Sequence, residues 1–288
     1  MSATHPTAAD SPMVVIRPTK GWAALRLNEV WEYRELLFFL AWRDVKIRYK
    51  QTALGAAWAV LQPVLTMVVF TIFFGGLAKV GSDGLPYPIF SYTGLLPWTL
   101  FSQALTLSSA SLVTSSNLIK KVYFPRIVIP MAAVLSGVID FGVSLVALFG
   151  LMVYYRIWPS LLVFWIPAIF LLSLAASLGA GLWLATLNVE YRDVRYVVPF
   201  LVQIWLFVTP VIYPASKVTA KLAEHGLPGW IYGLNPMAGV VEGFRWAILG
   251  RTPFPGQLLA TSVVVTLVLL VTGSFYLRRM EATFADVV

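Results

Sequence analysis

Long apolar stretches alternate with short charged segments along most of the chain. Six of these apolar stretches contain no Asp, Glu, Lys or Arg, with Asp140 as the one exception. They are residues 51–78, 84–119, 127–155, 157–189, 196–216 and 252–277. A membrane-spanning helix needs about 20 mostly apolar residues, so each stretch holds one such helix and none comfortably holds two. Backbone polar groups in lipid must be satisfied within the protein, which favours helices over an open sheet.

The pattern therefore predicts an all-α integral membrane fold with six transmembrane helices. Their expected positions are roughly 55–78, 93–115, 128–154, 161–187, 197–213 and 257–277. Lys and Arg are enriched in the cytoplasmic segments of membrane proteins. Most of the 21 Lys and Arg residues fall in residues 1–54, 116–127, 188–196 and 278–288. These segments, and with them both termini, are expected to be cytoplasmic.

The first 28 residues are polar and contain three prolines. They lack the apolar core and cleavage site of a secretory signal peptide. We predict a disordered cytoplasmic tail over 1–28, followed by the six-span domain over 29–288.

Residues 29–50 predict an amphipathic helix at the membrane interface, since Phe38, Trp42, Val45 and Tyr49 recur at helical spacing. This helix either anchors the chain passively or borders an access point for an anionic lipid head. The cations that would bind its phosphates are Arg43, Lys46, Arg48 and Lys50.

The segment between the fifth and sixth spans, 214–256, is too long for a simple turn. Its apolar part, 229–241, is short and interrupted by Gly and Pro, which predicts a re-entrant pair of helices on the outer side. An interfacial loop on the outer leaflet is the alternative. The candidate outer-gate residues are Asn235, Pro236, Glu242 and Arg245.

Two short segments are candidates for docking another protein. In 117–130, apolar residues accompany the cations, and positive-inside bias does not explain the apolar ones. In 188–197, the charges form local pairs or contact a partner. The candidate contact residues are Lys120, Lys121, Tyr123, Arg126, Glu190, Arg192 and Asp193.

Composition agrees with a membrane protein, because 59% of the residues are hydrophobic and only 12% are charged, at a mean hydropathy of +0.79. An ordinary soluble enzyme carries about 25% charged residues. The net charge of +8 fits cytoplasmic bias and anionic lipid, and no nucleic-acid partner is expected. With no Cys and two His, no metal site is expected, and no catalytic residue is assigned.

Aromatic side chains present large, flat apolar surfaces, and polar groups inside spans tend to face cavities or other helices. The pore-lining candidates are Trp58, Gln62, Phe70, Phe73, Phe74, Gln203, Trp205, Phe207 and Tyr213. The alternative for the aromatic ones is the interfacial belt or a lipid-facing position. Asp140 is either a proton relay or, as we favour, a hydrogen-bonded packing residue. Small residues at Ala176, Gly179 and Ala180 favour internal helix packing over a dimer interface.

The order of several motifs resembles the membrane subunit of ABC transporters of the polysaccharide-export type, which carry O-antigen, capsule or teichoic acid. The similar segments span roughly 29–280 and are WRDVKIRYKQTALGAAWAVLQP (42–63), NLIKKVYFPRIVIP (117–130), NVEYRDVRY (188–196), TPVIYP (209–214) and LNPMAGVVEGFRWAILG (234–250).

The resemblance implies a homodimer with two copies of a cytoplasmic ATPase in the bacterial inner membrane. The ATPase would hold ATP and Mg, and this chain would hold no cofactor; its sequence has no G-x-x-x-x-G-K-[ST] motif. The segments 117–127 and 188–196 would contact the ATPase, residues 43–50 would form a gate helix, and the cargo would be a glycan linked to polyprenyl diphosphate.

Two alternatives remain open. A related ABC permease for teichoic acid, capsule, a small lipid or a drug differs in cargo only. A membrane-embedded transferase that uses a lipid-linked sugar would need a carboxylate pair, for which Glu190 and Asp193 are the compact candidate.

Overall fold

The computed structural model describes residues 27–50, 55, 57–191 and 193–281. Within these ranges it contains helices and turns and no strand, which confirms the all-α prediction. The helices are α1 (Leu27–Glu32), α2 (Arg34–Tyr49), α3 (Ala57–Phe70), α4 (Tyr87–Thr114), α5 (Ser116–Lys121), α6 (Val128–Leu135), α7 (Val138–Tyr154), α8 (Ile166–Glu190), α9 (Val194–Val208), α10 (Ala215–Glu224), α11 (Pro236–Leu249) and α12 (Gly256–Met280). A π-helix (Thr71–Leu77) extends α3, and 3-10 helices (Leu161–Trp165 and Gly229–Leu234) precede α8 and α11.

Four helical segments are long and apolar enough to cross a membrane, namely Ala57–Leu77, Val128–Tyr154, Leu161–Glu190 and Gly256–Met280. They coincide with the first, third, fourth and sixth predicted spans. The fifth predicted span corresponds to α9, a shorter apolar helix of 15 residues. The predicted disordered tail lies outside the described residues up to residue 26.

The second predicted span corresponds to α4, whose 28 residues include many Ser and Thr. Most of their hydroxyls donate hydrogen bonds to backbone carbonyls one turn earlier in the same helix. Thr93 donates to Ile89 O at 2.6 Å and Thr106 to Ser102 O at 2.7 Å. The helix is therefore polar in sequence but well satisfied in the core. It packs against α3, α6, α7, α8, α9 and α11.

Helices α4, α8 and α12 run parallel through the bundle. The side-chain amide of Asn188 in α8 donates to Ser109 O in α4 at 2.9 Å, and Trp183 Nε1 donates to Thr272 Oγ1 in α12 at 3.0 Å. Each contact joins the C-terminal half of one helix to that of the other. We call the end of the bundle where these C-termini lie the inner end, and the opposite end the outer end.

Two apolar clusters stabilise the two ends. The larger joins the N-terminal half of α4 to α11, with Phe90, Phe101 and Phe244 fully buried. The smaller joins α2 to the inner end of the bundle through Leu40, Leu112, Phe124, Val128 and Leu277.

The exposed and buried faces of α2 differ from the predicted stripe. Phe38 and Trp42 are exposed, whereas Leu40 and Val45 are buried against the bundle, chiefly along α6. By their spacing Phe38, Trp42, Val45 and Tyr49 lie on one side of this α-helix, but that side is not uniformly buried, since Val45 is buried and Phe38 and Trp42 are exposed. The helix carries apolar residues on both faces, so periodicity alone did not identify the packed one.

The π-helix determines the surroundings of Phe70, Phe73 and Phe74, which are three of the pore-lining candidates. Its wider turn, in which Ala78 N donates to Phe73 O at 2.8 Å, changes the angle between successive side chains. Phe70 is buried at 8% exposure and packs edge-on against the half-buried Phe74, while Phe73 is 56% exposed. Phe70 is thus a core residue rather than a lining one.

Gly179 lets α8 and α12 approach closely, which confirms that this small residue serves internal packing. A Cβ at Gly179 would lie 2.8 Å from Leu270 N and 3.0 Å from Leu269 C, both backbone atoms that cannot rotate away.

We expect Gly179→Ala to lower stability by about 1–3 kcal/mol, because overpacking forces the two helices apart. The control is Gly150→Ala in α7, where an added Cβ meets nothing within 4 Å and improved helix propensity makes the change neutral or slightly stabilising. Thermal unfolding of the detergent-solubilised chain, followed by circular dichroism, compares the two; equal melting temperatures would contradict the packing argument.

Candidate transport path and coupling surfaces

The segment that follows α5 is anchored at two points. Phe124 is buried in the inner cluster, and the Arg126 guanidinium donates to Glu281 O at the end of α12. The backbone N–H of Arg126 also donates to Glu281 Oε1 at 3.3 Å. Because these anchors hold the segment in place, Lys120, Lys121 and Tyr123 project as exposed side chains.

The second predicted contact segment is tied to the same end of the bundle. The Tyr276 hydroxyl in α12 donates to Glu190 Oε2 at 3.3 Å. Asp193 is exposed, and Arg195 lies over the ring of Tyr196 at 4.6 Å from its centroid. Arg192 lies outside the described residues.

Both predicted contact segments therefore meet the C-terminal turns of α12. Among the candidates, Lys120, Lys121, Tyr123, Glu190 and Asp193 are exposed there. Arg126 differs, since its side chain is 17% exposed and engages Glu281. Its role is to position the segment, which the sequence did not indicate because Glu281 is far away along the chain.

Arg48 at the end of α2 forms an ion pair with Asp140 in α7, and its second amino group donates to Ser136 Oγ at 3.2 Å. From the sequence alone, Asp140 is an acidic residue within a predicted span, for which we favour a hydrogen-bonded packing role over a proton relay. In the structure, Asp140 pairs with Arg48 of α2. This ion pair links α2 to α7.

The other cations of α2 differ in their surroundings. Arg43 pairs with its neighbour Asp44 at 2.8 Å. The exposed Lys46 lies over the Trp42 ring at 5.7 Å from its centroid, and Lys50 is exposed. Of the four predicted phosphate-binding residues, two are thus already paired with carboxylates, and the two lysines are not among the ion pairs of the described residues.

A cavity of about 720 Å³ lies beside this ion pair, between α3, α4 and α9. It is lined by Trp58 and Gln62 from the predicted pore set, by Gln103 of α4, and by Arg48 and Asp140. Gln203 and Phe207 are exposed on α9 and do not line it. Gln103 is not among the predicted lining residues, because it lies in a stretch of α4 rich in Ser and Thr and has no distinguishing local pattern.

At the outer end, Arg245 is fully buried and forms the centre of a polar network. Its guanidinium donates to the carbonyls of Phe90 at 3.2 Å and Val211 at 2.7 Å, and to Pro210 O. It also donates to Glu242 Oε1 at 3.0 Å, which in turn accepts from Ala215 N at 2.9 Å.

This network joins α4, α11 and the turn that follows α9. It requires Gly94, because a Cβ there would lie 2.5 Å from the guanidinium. Arg245 is one of the candidate outer-gate residues predicted from the sequence, and the structure buries its side chain completely. An available signal was the pair Glu242 and Arg245, three residues apart in the otherwise uncharged helix PMAGVVEGFRWAIL.

Asn235 connects the same region to α9. Its Oδ1 accepts from Trp205 Nε1 at 2.9 Å and caps α11 by accepting from Met237 N at 3.1 Å, while its amide donates to Thr209 Oγ1 at 3.0 Å. Pro236 is buried at the first position of α11, where its missing N–H costs nothing. Beside it, the half-buried Tyr213 donates to Phe207 O at 2.8 Å.

An all-helical bundle whose apolar helices are fit to cross a membrane, and whose core charges are satisfied internally, defines a multi-pass membrane protein. Residues 35–249 match the ABC-2 type transporter family, which is about three quarters of the chain. The chain belongs to this family and is a permease of the polysaccharide-export type.

Similar proteins agree with this assignment. The chain is 31% identical over 257 residues to the O-antigen export system permease protein RfbA of Myxococcus xanthus, covering 88% of this chain and 96% of that protein. It is 27% identical over 257 residues to RfbA of Klebsiella pneumoniae, covering 88% and 95%. It is 25% identical over 248 residues to the polysialic acid transport protein KpsM of Escherichia coli, covering 83% and 92%.

We expect Arg245→Met to destabilise the chain by about 3–5 kcal/mol, because it leaves the buried Glu242 carboxylate without its counter-ion and three backbone carbonyls without the guanidinium donor. Arg251→Met, at an exposed cation six residues away, is the control and is expected to change stability by less than about 0.5 kcal/mol. Thermal unfolding in detergent measures both. Equal melting temperatures for the two variants would show that the buried network does not stabilise the outer end.

Proposed function

We propose that the chain is the membrane-spanning subunit of an ATP-driven exporter that moves a polyprenyl-diphosphate-linked, O-antigen-like polysaccharide from the cytoplasm across the bacterial inner membrane. The observation that carries the proposal is that both predicted contact segments converge on the C-terminal turns of α12, with their exposed cations and apolar side chains at one end of the bundle. The names of the similar permeases support a polysaccharide as cargo.

In this proposal ATP hydrolysis takes place on two copies of a separate ATPase subunit, which also hold ATP and Mg. The ATPase contacts Lys120, Lys121 and Tyr123 on one segment and the 188–196 segment on the other. Exposed Val122 and Tyr123, at 53% and 73%, support a protein partner, because apolar side chains on a cytoplasmic loop gain from being covered.

The proposed topology has six spans, formed by α3, α4, the α6–α7 pair, α8, α9 and α12, with both termini cytoplasmic. The segment between α9 and α12 is proposed to be re-entrant. Two observations support this: α11 has 14 residues, about 21 Å of helix, and nearly all of them are buried within the bundle. Backbone at membrane depth is tolerated where protein covers it.

A second copy of the chain is proposed to complete the path. Helix α3, the π-helix that extends it, and α9 carry exposed apolar side chains, including Val69 on α3, Phe73 on the π-helix, and Phe200 and Ile204 on α9. Packing these faces against a second copy would enclose the cavity between subunits.

The lipid diphosphate is proposed to bind at Lys46 and Lys50. The ion pairs of Arg43 and Arg48 with carboxylates support this choice, because a phosphate at either arginine has to displace a carboxylate first. Teichoic acid, capsule, a small lipid or a drug remain alternative cargos for the same machinery.

Deletion of the gene for this chain is expected to abolish surface polysaccharide and to cause lipid-linked glycan to accumulate inside the cell. Staining of surface glycan and extraction of the lipid-linked pool measure the two effects, and plasmid-borne chain restores export. Normal surface glycan in the deletion strain would refute the proposed cargo.

Combined Lys120→Glu and Lys121→Glu is expected to reduce co-purification of the ATPase by about tenfold or more, because reversed charges are repelled at an interface that is complementary to the native ones. The control is combined Lys217→Glu and Lys221→Glu, the same change in charge on the exposed face of α10 at the outer end. It should leave co-purification intact, and both variants should insert into the membrane at native levels. Undiminished ATPase recovery with the inner variant would exclude this segment as the contact.

A further inference from the structure

The cavity beside the Arg48–Asp140 pair contains polar groups that the protein itself does not use. The side-chain amides of Gln62 and Gln103 both line it, and neither makes a hydrogen bond with the described residues. Gln62 is exposed and Gln103 half-buried. A side-chain amide both donates and accepts hydrogen bonds. It therefore suits a ligand, such as one with hydroxyl groups, that also donates and accepts.

The cavity is also electrically neutral. Arg48 and Asp140 are the charged residues that line it within the described part of the chain, and they neutralise each other. Residues 51–54 and 56, which lie outside the described part, are uncharged as well. A diphosphate entering the cavity would therefore meet no uncompensated cation.

Trp58 supplies a flat apolar surface at the same site. Its side chain is 52% exposed and lines the cavity together with the two amides. A volume of about 720 Å³ lies in the range of sites that enclose a small organic ligand. An uncharged sugar matches both features. Its hydroxyl groups can hydrogen-bond with the two amides, and its CH faces can stack on the Trp58 ring.

We propose that this cavity is a binding site for the first neutral sugars of the cargo, with Trp58 stacking on a sugar face and Gln62 and Gln103 hydrogen-bonding to its hydroxyls. The inference rests on the proposed function, and it adds where the glycan is held and by which chemistry. Tyr49 lines the cavity and Lys50 follows it directly, so a diphosphate at Lys50 leaves its attached sugars at the cavity mouth.

The absence of Cys from the chain permits a direct test by cysteine protection. Gln62→Cys and Gln103→Cys are introduced singly, the chain is expressed with its ATPase, and inside-out vesicles are treated with a maleimide in the absence of ATP. Three arms compare vesicles without carrier lipid, vesicles given polyprenyl diphosphate without sugar, and vesicles containing the cell's own lipid-linked glycan. Gln257→Cys, exposed at the outer end of α12, is the control.

Labelling at both cavity positions is expected to fall at least about threefold with lipid-linked glycan and to stay unchanged with polyprenyl diphosphate alone, while the control is unaffected. Equal protection by polyprenyl diphosphate would assign the cavity to the phosphate head and overturn the proposal, and so would the lack of protection by either. If a variant is absent from the membrane, Ser102→Cys and Thr106→Cys on the α4 wall of the cavity replace it.

Export provides a second measurement. Gln62→Leu and Gln103→Leu keep the approximate size of the side chain and remove its amide, and each is expected to weaken cargo binding about three- to tenfold, as for the loss of one hydrogen bond. Gln257→Leu should export normally. Normal export by the double cavity variant would overturn the sugar site but leave the exporter assignment intact, whereas normal surface glycan without the chain would refute the exporter assignment itself.

Discussion

The outer half of the structure depends on the satisfaction of one buried charge. A guanidinium with no access to water needs acceptors from the protein, because an unpaired charge in an apolar interior is strongly unfavourable. Arg245 obtains them from the first turn of α4, from the turn after α9 and from Glu242 on its own helix. Two of these sources are backbone carbonyls, in α4 and in the turn after α9, and the third is the Glu242 carboxylate. Arg245 therefore ties both elements to α11. The turn after α9 has no regular hydrogen-bonding pattern of its own, and Arg245 supplies the donors that such a backbone lacks.

The inner end is built from ion pairs of a different kind. Arg48 with Asp140, Arg126 with Glu281 and Arg278 with Glu29 are each partly exposed. Pairs that keep contact with water contribute little to stability and exchange readily. They orient α1, α2 and the segment after α5 without fixing them as Arg245 fixes the outer end. The chain thus combines a fully buried charge network at the outer end with partly exposed ion pairs at the inner end, and the proposed coupling to a separate ATPase would use the latter.

Sequence alone predicts those features of the structure that have a local physical cause, and it does not predict those that depend on tertiary contacts. Lipid demands long apolar helices, so hydropathy located the segments at 57–77, 128–154, 161–190 and 256–280. Sequence does not predict the burial of Arg245, because cations are ordinarily exposed and the carbonyls that make its burial possible come from residues as distant as Phe90. Periodicity does not identify the packed face of α2, which is apolar on both faces, and it does not predict the π-helix at Thr71–Leu77, where the spacing of side chains changes. The contact of Arg48 with Asp140 is tertiary, and neither residue carries a local signal for it.

Helix α12 connects these two ends. Near its C-terminus Tyr276 and Glu281 bind the two predicted contact segments, and near its N-terminus Ser262 accepts from Gly239 N in α11 at 3.1 Å. Along its middle it lies against Gly179 of α8 with backbone in contact with backbone, which leaves little room for independent tilting. Under the proposed function, a displacement of the contact segments would be transmitted along α12 to α11, and through Glu242 and Arg245 to the turn after α9. Because close packing has discrete alternatives rather than a continuum, such a movement would shift the outer segment between positions rather than deform it.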